Sequence, residues 1–389
     1  MTGPRMTGSP VAGPPVTGPP VAGPRVAGQV LDTPLTRLVG VRHPVVQTGM
    51  GWVAGPRLVS AVANAGGLGI LASATMTLPQ LAAAISEVQA RTGAPFGVNL
   101  RADASDAADR ADLLIRRKVK VASFALAPRR ELIAKLKDGG VVVIPSVGAR
   151  RHAEKVAGWG ADAVLVQGGE GGGHTGAIAT TLLLPHVVDA VDIPVIAAGG
   201  FFDGRGLVAA LAYGAAGIAM GTRFLLTSDS SVPDSVKHTY LDMSETVVTR
   251  QVDGMPHRVL RTALVDGLER SSGLSRLSRS VRNAARFRAL SGMSWRSLIR
   301  DGLAMKHGKE LTWSQVLMAA NTPMLLKAAM VDGHPDLGVM ASGQVVAVID
   351  DLPSCKDLID GIMAQGAEIL RTLDVYFPYG RSDYISSDT

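Results

Sequence analysis

From Pro44 onward, short apolar runs alternate with segments whose apolar residues recur at helical spacing, and Gly or Pro separates them. The apolar runs are almost continuous in Val, Ile, Leu and Ala, which is typical of parallel strands buried on both faces. Eight such units between residues 44 and 224 predict a closed (β/α)8 TIM barrel rather than an open doubly wound sheet. The predicted strands are Val45–Met50, Leu68–Leu71, Phe96–Leu100, Val121–Leu126, Val141–Val147, Ala163–Gly168, Pro194–Ala198 and Gly217–Phe224.

The pattern changes on both sides of this barrel. The N-terminal segment reads as six Gly/Pro-rich pentapeptides, which cannot build a core and predict a disordered tail, either dispensable or a partner-binding arm. Beyond the eighth strand, Thr246–Arg261 alternates like two strands around an Asp-Gly turn, and Ala341–Met363 combines a strand-like run with a final helix. We expect Gly343–Gln344 to return to the functional site. The predicted divisions are a tail (1–30), the barrel (31–249), a smaller lid or substrate subdomain (250–342) and a returning strand and helix (343–375).

Composition narrows the class of protein. The chain of 389 residues contains one cysteine, which excludes an internal disulfide framework and a cysteine-rich zinc site. Its apolar runs are strand-sized, so we expect no membrane insertion and a cytoplasmic location. Residues 250–309 contain 13 Lys or Arg and four Asp or Glu, a local charge of +9 within a formal net charge of +6. This basic segment predicts an anionic ligand rather than general nucleic-acid binding.

Polar residues and glycines cluster where the apolar strands end. The ends of parallel strands in such a barrel lie on one face, and chemistry is found there. Strand 7 runs into Gly199-Gly200 and strand 8 into Gly221-Thr222, the two places where these barrels hold phosphate. Tight turns also need glycine, but the pairing on adjacent strands favours a bound phosphate.

Two buried amides are candidates for a planar heterocycle. Asn99 and Gln167 lie near the ends of strands 3 and 6, where they can pair with the edge of a flavin or with neighbouring backbone. Gln47 and Ser146 are weaker candidates of the same kind.

His174 stands in the glycine-rich stretch VQGGEGGGHTG, which follows strand 6. The surrounding glycines let the backbone fold close to a planar ligand, and an imidazole can take or give a proton near neutral pH. We therefore predict a catalytic role. Glu170 is either a second acid or base or a hydrogen-bond partner that fixes the loop, and we favour the loop-fixing role. No second residue has metal-ligand spacing to His174, so we expect no metal.

These motifs together resemble the nitronate monooxygenase (2-nitropropane dioxygenase-like) family of FMN-dependent barrels, over roughly Leu35–Leu370. The motifs on which this resemblance is based are QGGEGGGHTG (Gln167–Gly176), PVVQTGMGWVAGPRLVSAVANAGGLGIL (Pro44–Leu71), PVIAAGGFFDG and AMGTRF. The resemblance implies FMN, with His174 as the catalytic base. The implied cofactor contacts are Thr48, Gly49, Met50, Asn99, Ser146, Gln167, Gly172, Gly173, Gly199, Gly200, Gly221 and Thr222.

Within that family the chain looks most like an actinobacterial branch that degrades steroid C and D rings. The traits are QTGMGWVAG, GGEGGGHTG, TSDSSVPD and GKELTWSQVLMAANTPM. The branch implies a ring-bearing acyl-CoA thioester as substrate, with formation or reduction of a carbon–carbon double bond coupled to NAD(H). Arg276, Arg279, Arg282 and Arg286 recur at helical spacing and are candidates to hold CoA phosphates, or else form a solvated helix face or a contact in a homodimer.

Three other functions share some of these features. Nitronate monooxygenation would use the same His174 and FMN with O2 as acceptor. A non-catalytic flavin-binding module would be insensitive to loss of His174. An IMP dehydrogenase-like barrel needs a cysteine in a catalytic loop, and Cys355 lies far beyond the barrel strands.

Overall fold

The structure, a computed structural model, describes residues 31–125, 128–252, 254–270 and 325–376. The predicted tail and most of the basic segment lie outside these residues. The predicted divisions of the chain therefore stay predictions. The strands are Val45–Gln47 (β1), Leu68–Ala72 (β2), Phe96–Leu100 (β3), Val121–Phe124 (β4), Val142–Val147 (β5), Val164–Gln167 (β6), Gly173–His174 (β7), Val195–Ala198 (β8), Gly217–Met220 (β9), Thr246–Thr249 (β10) and His257–Leu260 (β11).

Eight of these strands form the predicted closed parallel barrel, in the order β1-β2-β3-β4-β5-β6-β8-β9. The barrel closes because β1 pairs with β9, with Val46 opposite Ala219. Strand residues alternate between two environments, since Ile196 and Ala198 join the apolar cluster inside the barrel while Ala197 joins the cluster under the helices. This alternation explains why the strands read as unbroken apolar runs: both faces are buried.

Helices precede, alternate with and follow the barrel strands. They are Pro34–Val39 (α1), Pro56–Asn64 (α2), Leu78–Arg91 (α3), Ala107–Arg116 (α4), Arg130–Asp138 (α5), Arg150–Gly158 (α6), Thr180–Val188 (α7), Gly204–Ala212 (α8), Thr222–Leu225 (α9), Asp234–Leu241 (α10), Ala263–Glu269 (α11) and Cys355–Tyr376 (α12). Residues 325–330 are helical as well. Among the described residues, no helix combines the length and the apolar character needed to cross a bilayer.

The final helix α12 is confirmed, and it packs against α8. Gln365 Oε1 accepts a hydrogen bond from Gly204 N at 2.7 Å. A side chain at Gly204 would meet the α12 backbone, because its Cβ would lie 2.6 Å from both Gly366 N and Ile362 O. The absence of a side chain therefore sets how closely the two helices approach.

The structure differs from several strand predictions. The first predicted strand continues to Met50, but β1 ends at Gln47. The predicted eighth strand continues to Phe224, but β9 ends at Met220 and Gly221 is the N-cap of α9, since Phe224 N and Leu225 N both donate to Gly221 O at 2.9 Å. The strand-like run after Ala341 is instead the 3-10 helix Gln344–Val348. Gly343 N donates to the Thr222 hydroxyl and Gln344 N donates to Glu170 O, rather than to a strand edge, so this apolar run does not form a strand.

The alternating stretch Thr246–Arg261 does form two strands. β10 and β11 pair antiparallel, with Val247 opposite Val259. β11 also pairs antiparallel with β7, which gives a three-stranded sheet in the order β10-β11-β7. This small sheet joins the end of barrel strand β6 to a segment about 80 residues later in the chain.

Candidate active site

The loop after β6 is fixed by the carboxylate of Glu170. Its two oxygens accept hydrogen bonds from Thr180 N at 3.1 and 3.0 Å, at the first turn of α7. The Thr180 hydroxyl lies 2.7 Å from Glu170 Oε2 and 3.0 Å from Gly199 O. A carboxylate at a helix start satisfies an amide that has no partner within the helix. The loop-fixing interpretation of Glu170 is confirmed by these contacts.

Gln167 holds the same loop from inside. Its Nε2 donates to His174 O at 2.9 Å and approaches Gly172 O at 3.4 Å. The amide therefore pairs with neighbouring backbone, one of the two uses that the sequence left open. Its Oε1 accepts no hydrogen bond from the described residues and is available to a ligand.

His174 lies on β7 and its side chain is exposed. Its cross-strand neighbour is His257 on β11, and the two ring centroids are 4.7 Å apart with an interplanar angle of 46°. Thr175 N donates to Pro256 O at 3.2 Å, so the pairing continues past His174. Hydrogen-bonded strand, rather than loose loop, carries the predicted catalytic side chain.

Arg258 ties β11 to the loop. Its Nε and Nη2 donate to Gly169 O at 3.2 and 2.9 Å, and Nη1 donates to Thr246 Oγ1 at 3.0 Å. Burial lowers the pKa of the Arg258 guanidinium, while the nearby Glu170 carboxylate partly offsets this shift. Sequence reasoning missed both His257 and Arg258, although the Asp-Gly turn before them had predicted their strand.

The turn after β8 offers free backbone donors. Gly199 and Gly200 have φ of 94° and 84°, a left-handed conformation that suits glycine. Across the described chain, the amides of these two glycines and those of Gly221 and Thr222 donate to no other group. Four unpaired amides at the ends of adjacent strands form a donor set that suits a phosphate.

The segment around Gly343 returns to the histidine loop and to the start of α9. Gly343 N donates to Thr222 Oγ1 at 2.9 Å, and Gln344 N donates to Glu170 O at 2.9 Å. Gly172 packs against the same backbone, because a Cβ there would lie 2.6 Å from Gly343 N. The Thr222 hydroxyl accepts the Gly343 bond and keeps its own proton for another acceptor.

The remaining predicted residues lie on the same face of the barrel. Thr48 follows β1 and its amide donates to Met220 O at 3.2 Å. A Cβ on Gly49 would lie 2.4 Å from Asn99 Cβ, so these two strand ends touch. Asn99 Nδ2 approaches Ser123 Oγ at 3.4 Å. Ser146 is half-buried on β5, Met50 begins the turn after β1, and Gly173 lies on β7 opposite Arg258.

Gln47 has a structural role. It is fully buried, and its side chain spans to β2: Nε2 donates to Ile70 O at 3.2 Å and Oε1 accepts from Ile70 N at 3.3 Å. The same Nε2 also contacts Thr48 O. The amide thus joins two strand backbones, and its polar atoms are used inside the protein.

An apolar cleft of about 310 Å³ opens beside the turn after β1. Trp52 lines it in a left-handed backbone conformation, with φ of 66°. Val53, Ala54, Ala72, Thr75 and Met76 line it as well. The CoA candidates Arg276, Arg279, Arg282 and Arg286 lie outside the described residues.

Two dehydrogenases resemble this chain in sequence, and a solved structure resembles it in fold. The chain is 70% identical to the (3aS,4S,5R,7aS)-5-hydroxy-7a-methyl-1-oxo-octahydro-1H-indene-4-carboxyl-CoA dehydrogenase of Mycobacterium tuberculosis, over 88% of this chain and 98% of that protein. It is 68% identical to the Rhodococcus jostii protein of the same name, with the same two coverages. The structure of FabK from Thermotoga maritima matches with a TM-score of 0.72 and 34% identity, over 89% of this chain and 99% of that one.

The family model for nitronate monooxygenase matches residues 32–115 and 109–365. These ranges include the closed barrel, the loop with His174, the glycine turns after β8 and β9, and the returning segment around Gly343. The chain therefore belongs to the nitronate monooxygenase family and is an oxidoreductase.

Proposed function

We propose that this chain is an FMN-dependent dehydrogenase of ring-bearing acyl-CoA thioesters, acting in the breakdown of the steroid C and D rings. The two relatives described above are dehydrogenases of a bicyclic carboxyl-CoA. The match to this chain extends over 98% of the length of each of them. The observation that carries the proposal is the exposed His174, held on a paired strand. The loop before it contacts the glycine turn after β8, where the unpaired amides lie, because a Cβ on Gly199 would be 3.2 Å from Gly171 N.

The residues present fit FMN. Gly199, Gly200, Gly221 and Thr222 would hold its phosphate, because their amides are free to donate. Thr48, Gly49, Met50, Asn99, Ser146 and Gln167 would lie along the flavin ring, and the unused Oε1 of Gln167 is an acceptor for a ring N–H. FMN, when bound, supplies the two-electron chemistry that the reaction needs.

Dehydrogenation next to a thioester removes a proton from the α carbon and a hydride from the β carbon, and the double bond forms between them. His174 is the proton acceptor in this proposal. Its imidazole is exposed to a substrate, and its backbone is fixed by Gln167 on one side and by β11 on the other. Such fixation keeps a base within reach of the proton it takes.

The residues that bind the substrate's phosphates and the identity of the final electron acceptor stay predictions. Arg276, Arg279, Arg282 and Arg286 would hold the CoA phosphates, and NAD would accept the electrons. A homodimer is a further expectation. Because CoA thioesters are metabolites of the cell interior, we expect the enzyme to work in the cytoplasm.

The test is anaerobic mixing of the FMN-loaded protein with a hydroxylated bicyclic CoA thioester. We expect the visible flavin band to bleach, the product to lack two hydrogens by mass spectrometry, and NAD to restore the band. The His174→Ala variant should keep the flavin band. Its rate of bleaching should fall by about 1,000-fold, as expected for loss of a general base. Failure to bleach, with O2-dependent consumption of an alkyl nitronate, would replace this function by nitronate oxidation. A protein that takes up no FMN would exclude both.

A further inference from the structure

His257 is the residue closest to the proposed base that sequence reasoning did not assign. The antiparallel pairing of β7 and β11 places the Cα of His257 directly opposite that of His174, with Arg258 opposite Gly173 in the next register position. Side chains of directly opposed residues point to the same face of a sheet. The pairing of β7 with β11 therefore makes the two imidazoles neighbours.

The two rings make contact but differ in exposure. Their centroids are 4.7 Å apart at an interplanar angle of 46°, within the range in which planar rings pack. His257 is only 3% exposed, whereas the side chain of His174 is exposed. One ring is fixed in the protein, and the other rests on it and faces outward.

β11 is itself held firmly. Thr249 on β10 lies opposite His257 on its other side. The next residue, Arg258, donates three hydrogen bonds, two to the loop that carries His174 and one to β10. Val259, one position further, is fully buried in the cluster with Val252 and Val339. The His257 ring thus has a rigid backbone beneath it.

His174 needs such support more than most bases do. β7 is two residues long, and Gly173 before His174 supplies no side chain to pack against it. A displacement of a base by about 1 Å can cost a reaction about 100-fold, so the orientation of the His174 imidazole matters for turnover.

We infer that His257 is a positioning residue, whose buried ring fixes the orientation of the His174 imidazole. This inference rests on the proposed function only in naming His174 as the base; the ring contact itself does not depend on the reaction. The expected effect of removing the planar ring is a 10- to 100-fold fall in kcat, with the KM and the FMN affinity within about twofold of the original protein.

The test compares His257→Leu with His257→Phe in the full-length, FMN-loaded protein. Leucine fills the buried space without a planar face, and phenylalanine restores one. We expect His257→Leu to lose kcat as stated and His257→Phe to recover most of it. His238→Leu, on α10, is the matched control for replacing a histidine and should leave kcat unchanged.

A second readout follows the ring contact without turnover. In the ¹³C-histidine-labelled original protein, a nuclear Overhauser cross-peak should join the ring protons of His174 and His257. The order parameter of the His174 Cε1–H should fall in His257→Leu and recover in His257→Phe. Absence of the cross-peak, or an unchanged order parameter in His257→Leu, would overturn the inference. So would equal losses of kcat in both variants. Correct ring behaviour in a protein that leaves the thioester untouched would instead refute the proposed function.

Discussion

The carboxylate of Glu170 closes the first turn of α7 by accepting hydrogen bonds from Thr180 N and from the Thr180 hydroxyl. This arrangement ties the histidine loop to a barrel helix. The same carboxyl group is also a candidate for acid or base chemistry. Substitution of Glu170 can separate that chemistry from its contribution to stability.

We expect Glu170→Ala to lower the free energy of unfolding by about 1–2 kcal/mol, because it leaves Thr180 N without its acceptor. Glu170→Gln keeps an amide oxygen to accept the same bond and should cost less than half as much. Thermal melts and flavin bleaching measure the two effects. If Glu170→Gln folds like the original protein but loses turnover as fully as His174→Ala, the carboxyl group takes part in proton transfer.

Gly168→Ala should disrupt the loop that Glu170 holds. A Cβ there would lie 2.0 Å from Thr180 Oγ1 and 2.6 Å from Thr180 Cα, and the second contact is to backbone that cannot turn away. We expect a loss of about 3 kcal/mol or more in the free energy of unfolding, at the upper end of overpacking effects.

The control for this glycine is Gly361→Ala, in the middle of α12. Apart from the adjacent backbone of α12 itself, no heavy atom lies within 4 Å of the position that a Cβ would take, and the residue is exposed. Because alanine is the better helix former, this change should stabilise the protein by about 0.5–1 kcal/mol. Denaturant unfolding of both variants tests the pair; a neutral Gly168→Ala would show that Thr180 can move aside.

The barrel was predictable because it depends on a short-range pattern. Each strand is buried on both faces, so a strand such as Val142–Val147 can be recognised from its own apolar residues. The glycines at the strand ends mark the functional face. The failures lie where a tertiary contact decides the outcome. The apolar run after Gln344 looks like a strand, but Gly343 N and Gln344 N, at its start, donate to the Thr222 hydroxyl and to Glu170 O.

The site was predictable by residue type more than by role. His174 and the glycines of both turns follow from strand ends, whereas His257 depends on a pairing between segments about 80 residues apart, which the sequence does not specify. Gln167 shows a second limit. A polar side chain at the end of an apolar strand needs a partner, but only the structure shows that the Gln167 nitrogen donates to His174 O.

Tyr240→Phe should loosen the segment that returns to the site. The Tyr240 hydroxyl is buried and donates to Ala341 O at 2.8 Å, two residues before Gly343. Removing it takes this donor from the carbonyl of the half-buried Ala341, at a cost of about 1 kcal/mol or more. Urea unfolding should show that loss, and Tyr213→Phe, at a tyrosine that is 38% exposed, should change stability by less than about 0.5 kcal/mol. Equal effects of the two changes would contradict the role given to the hydroxyl.

Stability should fall in acid partly through Asp106. The guanidinium of Arg110 lies 2.9 Å from its carboxylate and holds the pKa of Asp106 below its usual value. Arg110 is itself buried and donates to Ser73 O and Met76 O, so the pair joins α4 to the loop after β2.

A depressed carboxyl pKa contributes stability above the pKa of the unfolded chain, near 3.8, and that stability is lost as the pH falls through the folded value. Asp106→Asn should therefore be less stable than the original protein at pH 7, with the difference shrinking below about pH 4. The exposed pair Arg150–Glu154 supplies the control, because Glu154→Gln should change stability little at pH 7. A difference for Asp106→Asn that stays constant down to pH 3 would refute this assignment.

Cys355 should be unreactive in the folded protein. It is fully buried at the start of α12, and burial raises the pKa of its thiol to about 12, so almost no thiolate exists at pH 8. A disulfide reagent such as DTNB should therefore label no thiol within minutes in native protein and one thiol after denaturation, since the chain contains a single cysteine. Cys355→Ala combined with Arg371→Cys, at a side chain that is 65% exposed, should react at once and so verify the assay. Rapid labelling of native Cys355 would mean that the start of α12 opens readily, and would reopen a chemical role for this thiol.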